Sequence, residues 1–564
     1  MTKATKTIIV CAVAVVTLVL GSEIFKTVRF RRFCESTNAM KTQIDTVHSF
    51  ATQARRGDIL DCRGNVLATS DTVYNVHFDA TVSNDSLWQE ALPELSTGLS
   101  DILGDKEQEW YYGYLLDGRA KEKRYLNICK NVGKNTLDSL KTLPLFNLPM
   151  HTGGVIVEAM QKRVYPYGPL ARRTIGIVRN NNSELENHHI GIEGSFNKAL
   201  SGKDGYGIIK DKHVRIPFGK VKHIHKATKV VNPENGENVP IALDIELQAV
   251  ADSLLRAGIE GNNNIKGACL VLVSTKNGAI RTMVNLTRDV RGGVGEYYNV
   301  SIGYGYEPGR IIAPATALAA AKCDSTLSLE GLDLTSKEVL ADLAEKCDPA
   351  PFCDSLKAML QGGYAFSHLE LEGLASLQMV TPGDNYWRAN TLESLTNGYS
   401  IMASAFRWLS LYTALARGGD GIAQRLVGPI TGSDGKTLLN DPVMIFVPVD
   451  YKLCSKDQAD AVINSLKVAS AKQLSETAYE MAGMLGSSFI THPDGGYIDA
   501  DGRRAVQSSY AGFFPAEKPA FSIICMAYTD FAADSRSANE VTKKVVREFV
   551  GSEIVAARIK ETFE

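Results

Sequence analysis

Ser195 and Lys198 have the spacing of a serine nucleophile and its base. On one helical turn the lysine amine would lie beside the serine hydroxyl and could accept its proton, which is how some acyl-transfer enzymes activate serine. Two abundant residue types at a fixed spacing also match by chance in a chain of 564 residues. We therefore expect Ser195 to be a packing or surface residue rather than a catalytic one.

A second stretch, residues 306–313, is more informative. Its first half, Tyr-Glu-Pro-Gly, is typical of a turn, and its second half, Arg-Ile-Ile-Ala, begins a helix. Enzymes that acylate their own serine carry Ser-x-x-Lys at such a point, but here the two positions hold Arg310 and Ala313. Arginine cannot be the nucleophile and alanine cannot be the base. The stretch predicts an enzyme fold whose chemistry has been removed.

The composition limits the class of protein. Apolar residues make up 44% and charged residues 22% of the chain, which is ordinary for a globular protein of two or three domains. A formal net charge of −2 gives no support for nucleic-acid binding. The 10 cysteines include no Cys-x-x-Cys and no zinc-like cluster, so we expect neither a metal nor a cofactor. Cys347 and Cys353 could form a disulfide or be two reduced thiols.

The N-terminus predicts a membrane anchor. Two lysines precede an apolar run from residue 8 to 20, which is short for a full span of ~20 residues unless it extends to Phe25. We predict a short cytoplasmic tail over residues 1–6 and a single uncleaved transmembrane anchor over residues 7–25 in the inner (cytoplasmic) membrane, with the bulk of the chain in the periplasm or extracytoplasmic space. The alternative is a cleaved signal peptide, for which the residues around Gly21 offer a cleavage site.

Before residue 240, turn residues and apolar periodicity predict a region that contains both strands and helices. Arg63-Gly64-Asn65 favours a hairpin, residues 74–78 alternate as a strand, and residues 33–54 suit a juxtamembrane helix. Residues 85–147 are mostly helical by pattern, with one apolar face. This face consists of Trp88, Leu92, Leu95, Leu99 and Ile102.

The sequence pattern changes near residue 240, where we place the main domain boundary. Asp244 is a suitable N-cap for a helix. Residues 267–273 form a continuous apolar strand, Lys276-Asn277-Gly278 favours a hairpin turn, and residues 279–284 return as a second strand.

Eight short segments follow one another in the order known from one protein family. They are residues 56–68 (Arg-Gly-Asp-Ile-Leu-Asp-Cys-Arg-Gly-Asn-Val-Leu-Ala), 163–168 (Arg-Val-Tyr-Pro-Tyr-Gly), 191–193 (Gly-Ile-Glu), 200–205 (Leu-Ser-Gly-Lys-Asp-Gly), 243–248, 397–400, 412–419 and 510–516. Together they make the chain resemble the class B penicillin-binding proteins, the membrane-anchored D,D-transpeptidases of bacterial cell-wall synthesis. The resemblance covers nearly the whole chain.

The resemblance implies an α+β fold. Beyond the N-terminal anchor, we expect an elongated pedestal or dimerisation-like domain over residues 26–240. A penicillin-binding, transpeptidase-like domain should follow over residues 241–564, with a central antiparallel sheet packed by helices.

The resemblance also locates the family's first two active-site motifs, and both have lost their chemistry. Arg310 and Ala313 stand where the family's Ser-x-x-Lys holds its nucleophile and its base. Thr335 and Lys337 align with the ends of Ser-x-Asn, so a hydroxyl is kept while the side-chain acceptor of the asparagine is lost.

The third motif, Lys-Thr-Gly, has lost its chemistry as well. Met484, Leu485, Gly486 and Ser487 stand in its place and in that of the residue that follows it. In the family the lysine and the threonine hydroxyl bind the substrate carboxylate, so the cation and a hydroxyl are missing here.

Arg310 is the one candidate ligand-binding residue. Its guanidinium could hold a carboxylate or a phosphate in the vestigial pocket. The alternative is that Arg310 pairs with a nearby acid such as Glu307, or fills space.

We therefore expect a catalytically inactive homologue, a scaffold or regulator of peptidoglycan synthesis in cell division or elongation. Loss of the nucleophile of a covalent catalyst alone costs on the order of a million-fold in kcat, so acylation by penicillin should be absent. The partners implied are a membrane glycan polymerase and other division or elongation proteins, with peptidoglycan stem peptides as a further candidate ligand. Two alternatives stay open: an active D,D-transpeptidase that uses displaced residues, and a muropeptide-binding sensor.

Overall fold

The computed structural model of the protein describes most of the chain. The described residues are 13–29, 46–178, 190–215, 221–361, 371, 373–427, 451–492, 495–531 and 536–564. By internal contacts the chain divides into two compact units, Met1–Ala54 with Lys203–Asn235, and Arg55–Gly202 with Gly236–Glu564. The domain boundary expected near residue 240 falls within the larger unit and stays a prediction.

Strands and helices are numbered along the chain. The strands are β1 (Thr46–Thr52), β2 (Ile59–Leu60), β3 (Val66–Phe78), β4 (Leu126–Val132), β5 (Val155–Val164), β6 (Gly205–Arg215), β7 (Val221–Val231), β8 (Val239–Pro240), β9 (Ile265–Ser274), β10 (Ile280–Arg288), β11 (Val294–Gly295), β12 (Gly305–Tyr306), β13 (Gln378–Met379), β14 (Ile401–Ser404), β15 (Ala482–Phe489), β16 (Val506–Phe514) and β17 (Phe521–Thr529). The helices are α1 (13–29), α2 (Asp85–Leu103), α3 (Gln108–Ala120), α4 (Lys134–Leu140), α5 (Met150–Gly153), α6 (Arg172–Ile175), α7 (Gly191–Ser195), α8 (Asn197–Ser201), α9 (Ile245–Glu260), α10 (Val300–Gly303), α11 (Ala313–Cys323), α12 (Lys337–Glu345), α13 (Pro349–Gln361), α14 (Thr391–Thr396), α15 (Ala405–Ala416), α16 (Lys456–Gln473), α17 (Ser537–Val550) and α18 (Glu553–Phe563). A turn of 3-10 helix, Gly309–Ile312, directly precedes α11.

The smaller unit contains a three-stranded antiparallel sheet in the order β1-β6-β7. The juxtamembrane helix expected over residues 33–54 is wrong for β1, which pairs with β6 from Thr46 opposite Asp211 to Thr52 opposite Gly205. The sequence around β1 contains no sign of this pairing, because the partner strand lies far along the chain. Residues 30–45 are outside the described part of the chain.

The predicted membrane anchor is described only in part. Helix α1 begins at residue 13, and residues 1–12 lie outside the described residues. Across the described part of the chain, we find no helix with both the length and the apolar character needed to cross a membrane. The anchor over residues 7–25 stays a prediction.

The N-terminal part of the larger unit is built on a sheet in the order β4-β3-β2-β8, with β5 also paired to β3. The hairpin predicted at Arg63-Gly64-Asn65 joins β2 to β3. Gly64 adopts φ +86°, which favours glycine, and the Asp61 carboxylate accepts hydrogen bonds of 2.8 Å from the backbone N–H groups of Arg63 and Asn65.

Helix α2 packs the predicted apolar face into the core of this region. Trp88 and the three leucines of that face are buried, whereas Ile102 is half-buried. Residues 85–147 are mostly helical, as expected, but the strand β4 interrupts the helices. Leu126 and Ile128 alternate into the core while β4 pairs with β3, so tertiary pairing outweighs the local pattern.

Three of the resembling segments meet at the buried carboxylate of Glu193. This carboxylate accepts hydrogen bonds from Arg56 Nε (2.8 Å) and Arg163 Nε (2.6 Å), and Arg163 also donates to the carbonyl oxygen of Gly57 (2.7 Å). Glu193 has no exposed side-chain surface, and the two arginine side chains are 13% and 7% exposed. Charge-assisted bonds in such a buried setting are strong. They join the Arg-Gly, Arg-x-Tyr-Pro and Gly-Ile-Glu segments, which are far apart in the sequence.

The main sheet has six antiparallel strands in the order β11-β10-β9-β17-β16-β15. In β9, Val271 and Val273 belong to a core with α11 and α15, whereas Leu270 and Leu272 belong to a second core with α9 and α17. Because both faces of this strand are covered, residues 267–273 are apolar throughout rather than at alternate positions.

The predicted cap and turn beside this sheet are confirmed. Asp244 Oδ1 accepts hydrogen bonds from the backbone N–H groups of Glu246 (3.1 Å) and Leu247 (3.3 Å), so it caps α9. Gly278 adopts φ +69° in the turn between β9 and β10.

The cysteines that could have formed a disulfide are free thiols. Cys347 and Cys353 are not bonded to each other. The Cys347 thiol lies beside that of Cys323, and burial raises the pKa of Cys347.

Candidate functional site

The turn and helix predicted over residues 306–313 form as expected. Tyr306 of β12 pairs with Ala403 of β14, which fixes the start of the turn. Gly309 then adopts φ +57°, and the 3-10 turn leads into α11. Arg310 is half-buried, whereas Ala313 is fully buried in the core.

Strand β15, which carries the third motif position, packs directly on this turn. A Cβ on Gly486 would lie 2.6 Å from the Pro308 carbonyl oxygen and 2.8 Å from the Arg310 backbone nitrogen. A Cβ on Gly309 would lie 2.5 Å from the Ser487 carbonyl oxygen. Real Cβ atoms do not approach so closely, so only glycine allows this contact. The fold therefore brings the first and third motif positions together.

The side chains of the third position do not offer the family's cation and hydroxyl. Met484 is fully buried and Leu485 is 9% exposed. Ser487 is exposed, and its hydroxyl donates to Ser508 Oγ (3.2 Å). Neither the Met484 nor the Leu485 side chain can hold a carboxylate, because neither side chain has a hydrogen-bond donor.

The outer edge of β15 is occupied by side chains and backbone of the same molecule. Gln473, the last residue of α16, accepts from the Leu485 N–H (2.8 Å) and donates to the Leu485 carbonyl oxygen (3.5 Å). The Tyr399 hydroxyl lies beside the backbone N–H of Phe489. The Gly309 backbone lies against Ser487. Groups of the same molecule therefore contact the edge of β15 at three alternate residues, Leu485, Ser487 and Phe489.

Glu307 stabilises the turn that leads to Arg310. Its carboxylate accepts hydrogen bonds from the Tyr497 hydroxyl (2.9 Å) and the Ser400 N–H (2.9 Å). Its carbonyl oxygen accepts from Gln507 Nε2 (2.7 Å) and the Ser488 hydroxyl. Burial raises the pKa of the Glu307 carboxyl group.

Arg310 does not pair with Glu307, whose carboxylate bonds to Tyr497 and Ser400 instead. Among the described residues, the Arg310 side chain forms neither a hydrogen bond nor an ion pair within 4 Å. The charge of Arg310 acts on Glu338. The pKa of the Glu338 carboxyl group is lowered, chiefly by a hydrogen bond from Ser336 and in part by the positive charge of Arg310. The N-terminus of α12 therefore lies near Arg310.

The residues aligned with the second motif lie at that helix N-terminus. Ser336, between them, caps α12 by accepting from the Val339 N–H (3.3 Å). The Thr335 hydroxyl donates to the Asp333 carboxylate, and Lys337 is exposed. The assignment of Thr335 and Lys337 to the motif stays a prediction, but both lie on the segment next to Arg310.

Ser195 and Lys198 do not share one helical turn. They lie on α7 and α8, two short helices that meet at Phe196, and both residues are exposed. Within the described ranges, no group of three or more His, Cys, Asp or Glu side chains is arranged to hold a metal ion.

Sequence reasoning missed Gln473, Tyr497 and Gln507. Each forms a side-chain hydrogen bond to a backbone or carboxylate group of the site. No local motif marks them, because each contact joins residues that are distant along the chain or separated by a turn.

Comparisons with known proteins agree with the fold described above. The family model of the penicillin-binding protein dimerisation domain matches residues 51–240. Among solved structures, the chain is similar to penicillin-binding protein 2X from Streptococcus thermophilus, with a TM-score of 0.66 and 16% identity over 91% of this chain and 82% of that one. It is also similar to a peptidoglycan synthetase from Bifidobacterium adolescentis, with a TM-score of 0.61 and 16% identity over 91% and 97%. At this identity the likeness establishes the α+β fold.

Sequence relatives show a homology. The probable peptidoglycan D,D-transpeptidase PenA of Neisseria gonorrhoeae is 27% identical over 301 residues, which is 51% of this chain and 47% of the relative. The D,D-transpeptidase FtsI of Buchnera aphidicola is 26% identical over 232 residues, 41% and 36% of the two chains. The D,D-transpeptidase MrdA of Escherichia coli is 25% identical over 241 residues, 39% and 35%. This chain is a homologue of the class B peptidoglycan D,D-transpeptidases.

The homology has a defined extent. The chain spans about half or less of the length of these relatives. The match to the dimerisation domain ends at residue 240 and contains Arg56, Arg163 and Glu193. The buried ion cluster at Glu193 is therefore part of the region that carries the family's dimerisation domain.

Proposed function

We propose that this chain is a catalytically inactive homologue of the D,D-transpeptidases that acts as a scaffold or regulator in peptidoglycan synthesis, during cell division or elongation. One observation carries the proposal. The backbone of the site is assembled around Arg310, yet it lacks a nucleophile at Arg310, a base at Ala313 and a carboxylate-binding cation at Met484. Without these groups the chain can neither activate a serine nor hold the substrate carboxylate for acylation. The function left to the fold is therefore binding rather than acyl transfer.

The edge of β15 supports the same proposal. An extended peptide adds to a sheet through free backbone N–H and C=O groups at the edge. Gln473 bonds to both groups of Leu485, and the Gly309 backbone lies against Ser487. A peptide substrate would have to displace these groups before it could pair with the strand.

Among the described residues, we find no base beside the two serines of β15 that could replace the family's nucleophile. Ser487 and Ser488 of β15 lie against the turn, and their hydroxyls hydrogen-bond to Ser508 and to the Glu307 carbonyl oxygen. None of these partners is an amine or imidazole that could take the serine proton.

A fluorescent penicillin tests the proposal. The full chain, incubated with the probe and run on a gel beside an active D,D-transpeptidase, should show no fluorescent band, because no acyl-enzyme forms. A band at the mass of this chain would overturn the proposal and favour an active enzyme. Mass spectrometry of the labelled peptide would then identify the serine.

The proposal extends to location and partners. We infer an anchor over residues 7–25 in the cytoplasmic membrane, the rest of the chain outside it, and contact with a membrane glycan polymerase and other division or elongation proteins. The full chain should co-purify with such a polymerase from detergent-solubilised membranes. A chain without residues 1–25 should be absent from the membrane fraction. Failure to recover any polymerase across growth conditions would remove the support for a scaffold.

Calorimetry separates the scaffold from a sensor of muropeptides. A peptide that ends in D-Ala-D-Ala should give no heat of binding with the full chain if the site is only a scaffold. Binding that is lost in Arg310→Ala would instead assign a sensor role, with the guanidinium holding the terminal carboxylate.

A further inference from the structure

A polar cavity of about 320 Å³ lies among the hairpin after β2, the start of α9, the turn between β9 and β10, and α18. A water molecule takes up about 30 Å³ in the liquid, so this volume equals about ten waters. None of its lining residues belongs to the segments around Arg310. The charged residues of the lining are Arg63, Lys276, Arg281, Arg558, Asp244 and Glu561.

The two carboxylates of the lining are already neutralised. Arg558 donates to Asp244 Oδ2 (2.6 Å) and to Glu561 Oε1 (3.2 Å), and Arg63 donates to Glu561 Oε2 (2.9 Å). Arg558 also bonds to Glu246, whose carboxylate is half exposed. Arg558 and Arg63 therefore pair with the acidic groups of the lining. The Asp61 carboxylate also acts on the Cys62 thiol, but it bonds to backbone N–H groups of the hairpin. Among the described residues, Lys276 and Arg281 form no ion pair with a carboxylate.

Lys276 and Arg281 supply the unpaired positive charge. Among the described residues, Lys276 makes no side-chain hydrogen bond or ion pair. Arg281 donates to the carbonyl oxygen of Ala242 (3.2 Å) and lies beside the Cys62 thiol, and both partners are uncharged acceptors. The bond to Ala242 holds one side of the guanidinium, and its remaining N–H groups have no carboxylate partner.

Neutral donors complete the lining. Ser274 and Asn277 flank Lys276 on the turn, and Thr562 lies on α18. The Asn277 side-chain oxygen accepts from the Ala279 N–H (3.1 Å). The NH₂ group of the Asn277 side chain can therefore donate to a ligand in the cavity. Two unpaired cations with hydroxyl and amide donors suit a compact dianion with several strong acceptor oxygens.

We propose that this cavity binds a phosphate group, held by Lys276 and Arg281. A carboxylate offers two oxygens and one charge, whereas a phosphate monoester offers three oxygens and a charge of about −1.5 to −2 at neutral pH. The phosphate therefore uses both cations and the neutral donors together. The proposal does not depend on whether the site at Arg310 is catalytic.

Calorimetry with the full chain tests this binding directly. Inorganic phosphate and pyrophosphate should bind, and acetate at the same ionic strength should not. Lys276→Ala should weaken phosphate binding about tenfold or more, since it removes a charge-assisted hydrogen bond, and Lys276→Arg should retain most of it. The matched control is Lys452→Ala, an exposed lysine paired with Asp420 outside this cavity.

Two results would overturn the proposal. One is equal phosphate affinity in the unmodified chain and in Lys276→Ala, and the other is acetate binding as tight as phosphate binding. Lys276 is exposed, so its replacement leaves the fold intact, and circular dichroism can check this.

Cys62 provides a second readout at the same cavity. Its thiol is exposed and lies beside Arg281. Alkylation of Cys62 can be followed by mass spectrometry of its peptide. Phosphate should slow this alkylation in the unmodified chain and in Lys452→Ala, but it should not do so in Lys276→Ala. Alkylation rates that do not change with phosphate in any of these chains would contradict the assignment.

Discussion

Arg310 is an uncommon residue at the start of a core helix, because its charge is half-buried and has no ion-pair partner among the described residues. The residues around it explain how the fold accepts it. Glu307 is bonded to Tyr497 and Ser400 instead, and Glu338 supplies a more distant negative charge. The proposed loss of chemistry therefore does not rest on Arg310 alone, since Ala313, Met484 and Leu485 also lack the functional groups of the family's motifs.

Restoring the first motif alone should not restore acylation. In Arg310→Ser combined with Ala313→Lys, we expect no labelling by a fluorescent penicillin. Met484 and Leu485 still offer no donor for the substrate carboxylate, and Gln473 still bonds to the strand edge. Ala313 is fully buried, so the new lysine also loses hydration. The gel described above is the measurement, circular dichroism checks folding, and a labelled band would refute this prediction.

Glu307 should make stability depend on pH. Its pKa is raised in the folded state, so the folded chain holds the proton more tightly than the unfolded chain does. Its contribution to stability is full below the unfolded pKa of about 4.3 and is lost as the pH rises through the folded pKa. Glu307→Gln removes this titration, keeps one oxygen to accept from the Ser400 N–H, and places an NH₂ group that can donate to the Tyr497 hydroxyl oxygen.

The measurement is urea unfolding of both chains at a series of pH values. From acidic to neutral pH, the free energy of unfolding of Glu307→Gln should rise relative to that of the unmodified chain. A difference that stays constant over this range would show that Glu307 does not titrate as stated.

Among the elements, β15 and α16 show how an edge strand can be protected. Exposed strand edges carry unpaired backbone groups that attract other chains, and proteins commonly cover them. Here the last residue of α16 supplies a side-chain amide, which matches the donor and acceptor of Leu485 as a neighbouring strand would. An extended peptide that paired with this edge would have to displace the same contact.

Gln473→Ala should expose that edge. The Leu485 amide should exchange with solvent deuterium faster, and the free energy of unfolding should fall by about 0.5–1.5 kcal/mol for the one strong bond lost. Lys472→Ala is the matched control, since this exposed neighbour on α16 does not bond to β15. An exchange rate at Leu485 that is the same in all three chains would mean that Gln473 does not cover the edge.

At the scale of the whole molecule, buried charges join distant parts of the chain. Arg56, Arg163 and Glu193 come from three segments, and their ion cluster is almost fully removed from solvent. Buried ion pairs are costly to form, but a buried charge left without its partner costs more. The cluster therefore makes the packing of these segments interdependent.

Glu193→Ala should destabilise the chain strongly. Two mostly buried guanidinium groups would lose their carboxylate, and removal of one partner of such a pair costs about 3–5 kcal/mol. Urea unfolding of the full chain measures this loss. The control is Glu234→Ala, whose exposed pair with Lys203 should contribute little, and a similarly small effect of Glu193→Ala would contradict the prediction.

Much of the fold and part of the site were predictable. The Arg63-Gly64-Asn65 hairpin, the Asp244 cap and the apolar run of β9 follow from local rules on turns, caps and burial, and the structure confirms them. The strand β1 was not predictable, because its backbone partners lie in a distant part of the chain. The contact of Gln473 with Leu485 was missed for a similar reason, since it depends on how a helix end meets a strand.

The residue types at positions 310, 313, 484 and 485 are a property of the sequence alone. They determine which functional groups exist at these positions, because the fold can shift the pKa of a group but cannot supply a group that is missing. Only the tertiary structure decided that Gly486 lies against the Arg310 backbone, that Glu307 pairs with Tyr497 rather than Arg310, and that the edge of β15 is covered. These contacts form between residues far apart along the chain, and they arise from packing that no local pattern encodes.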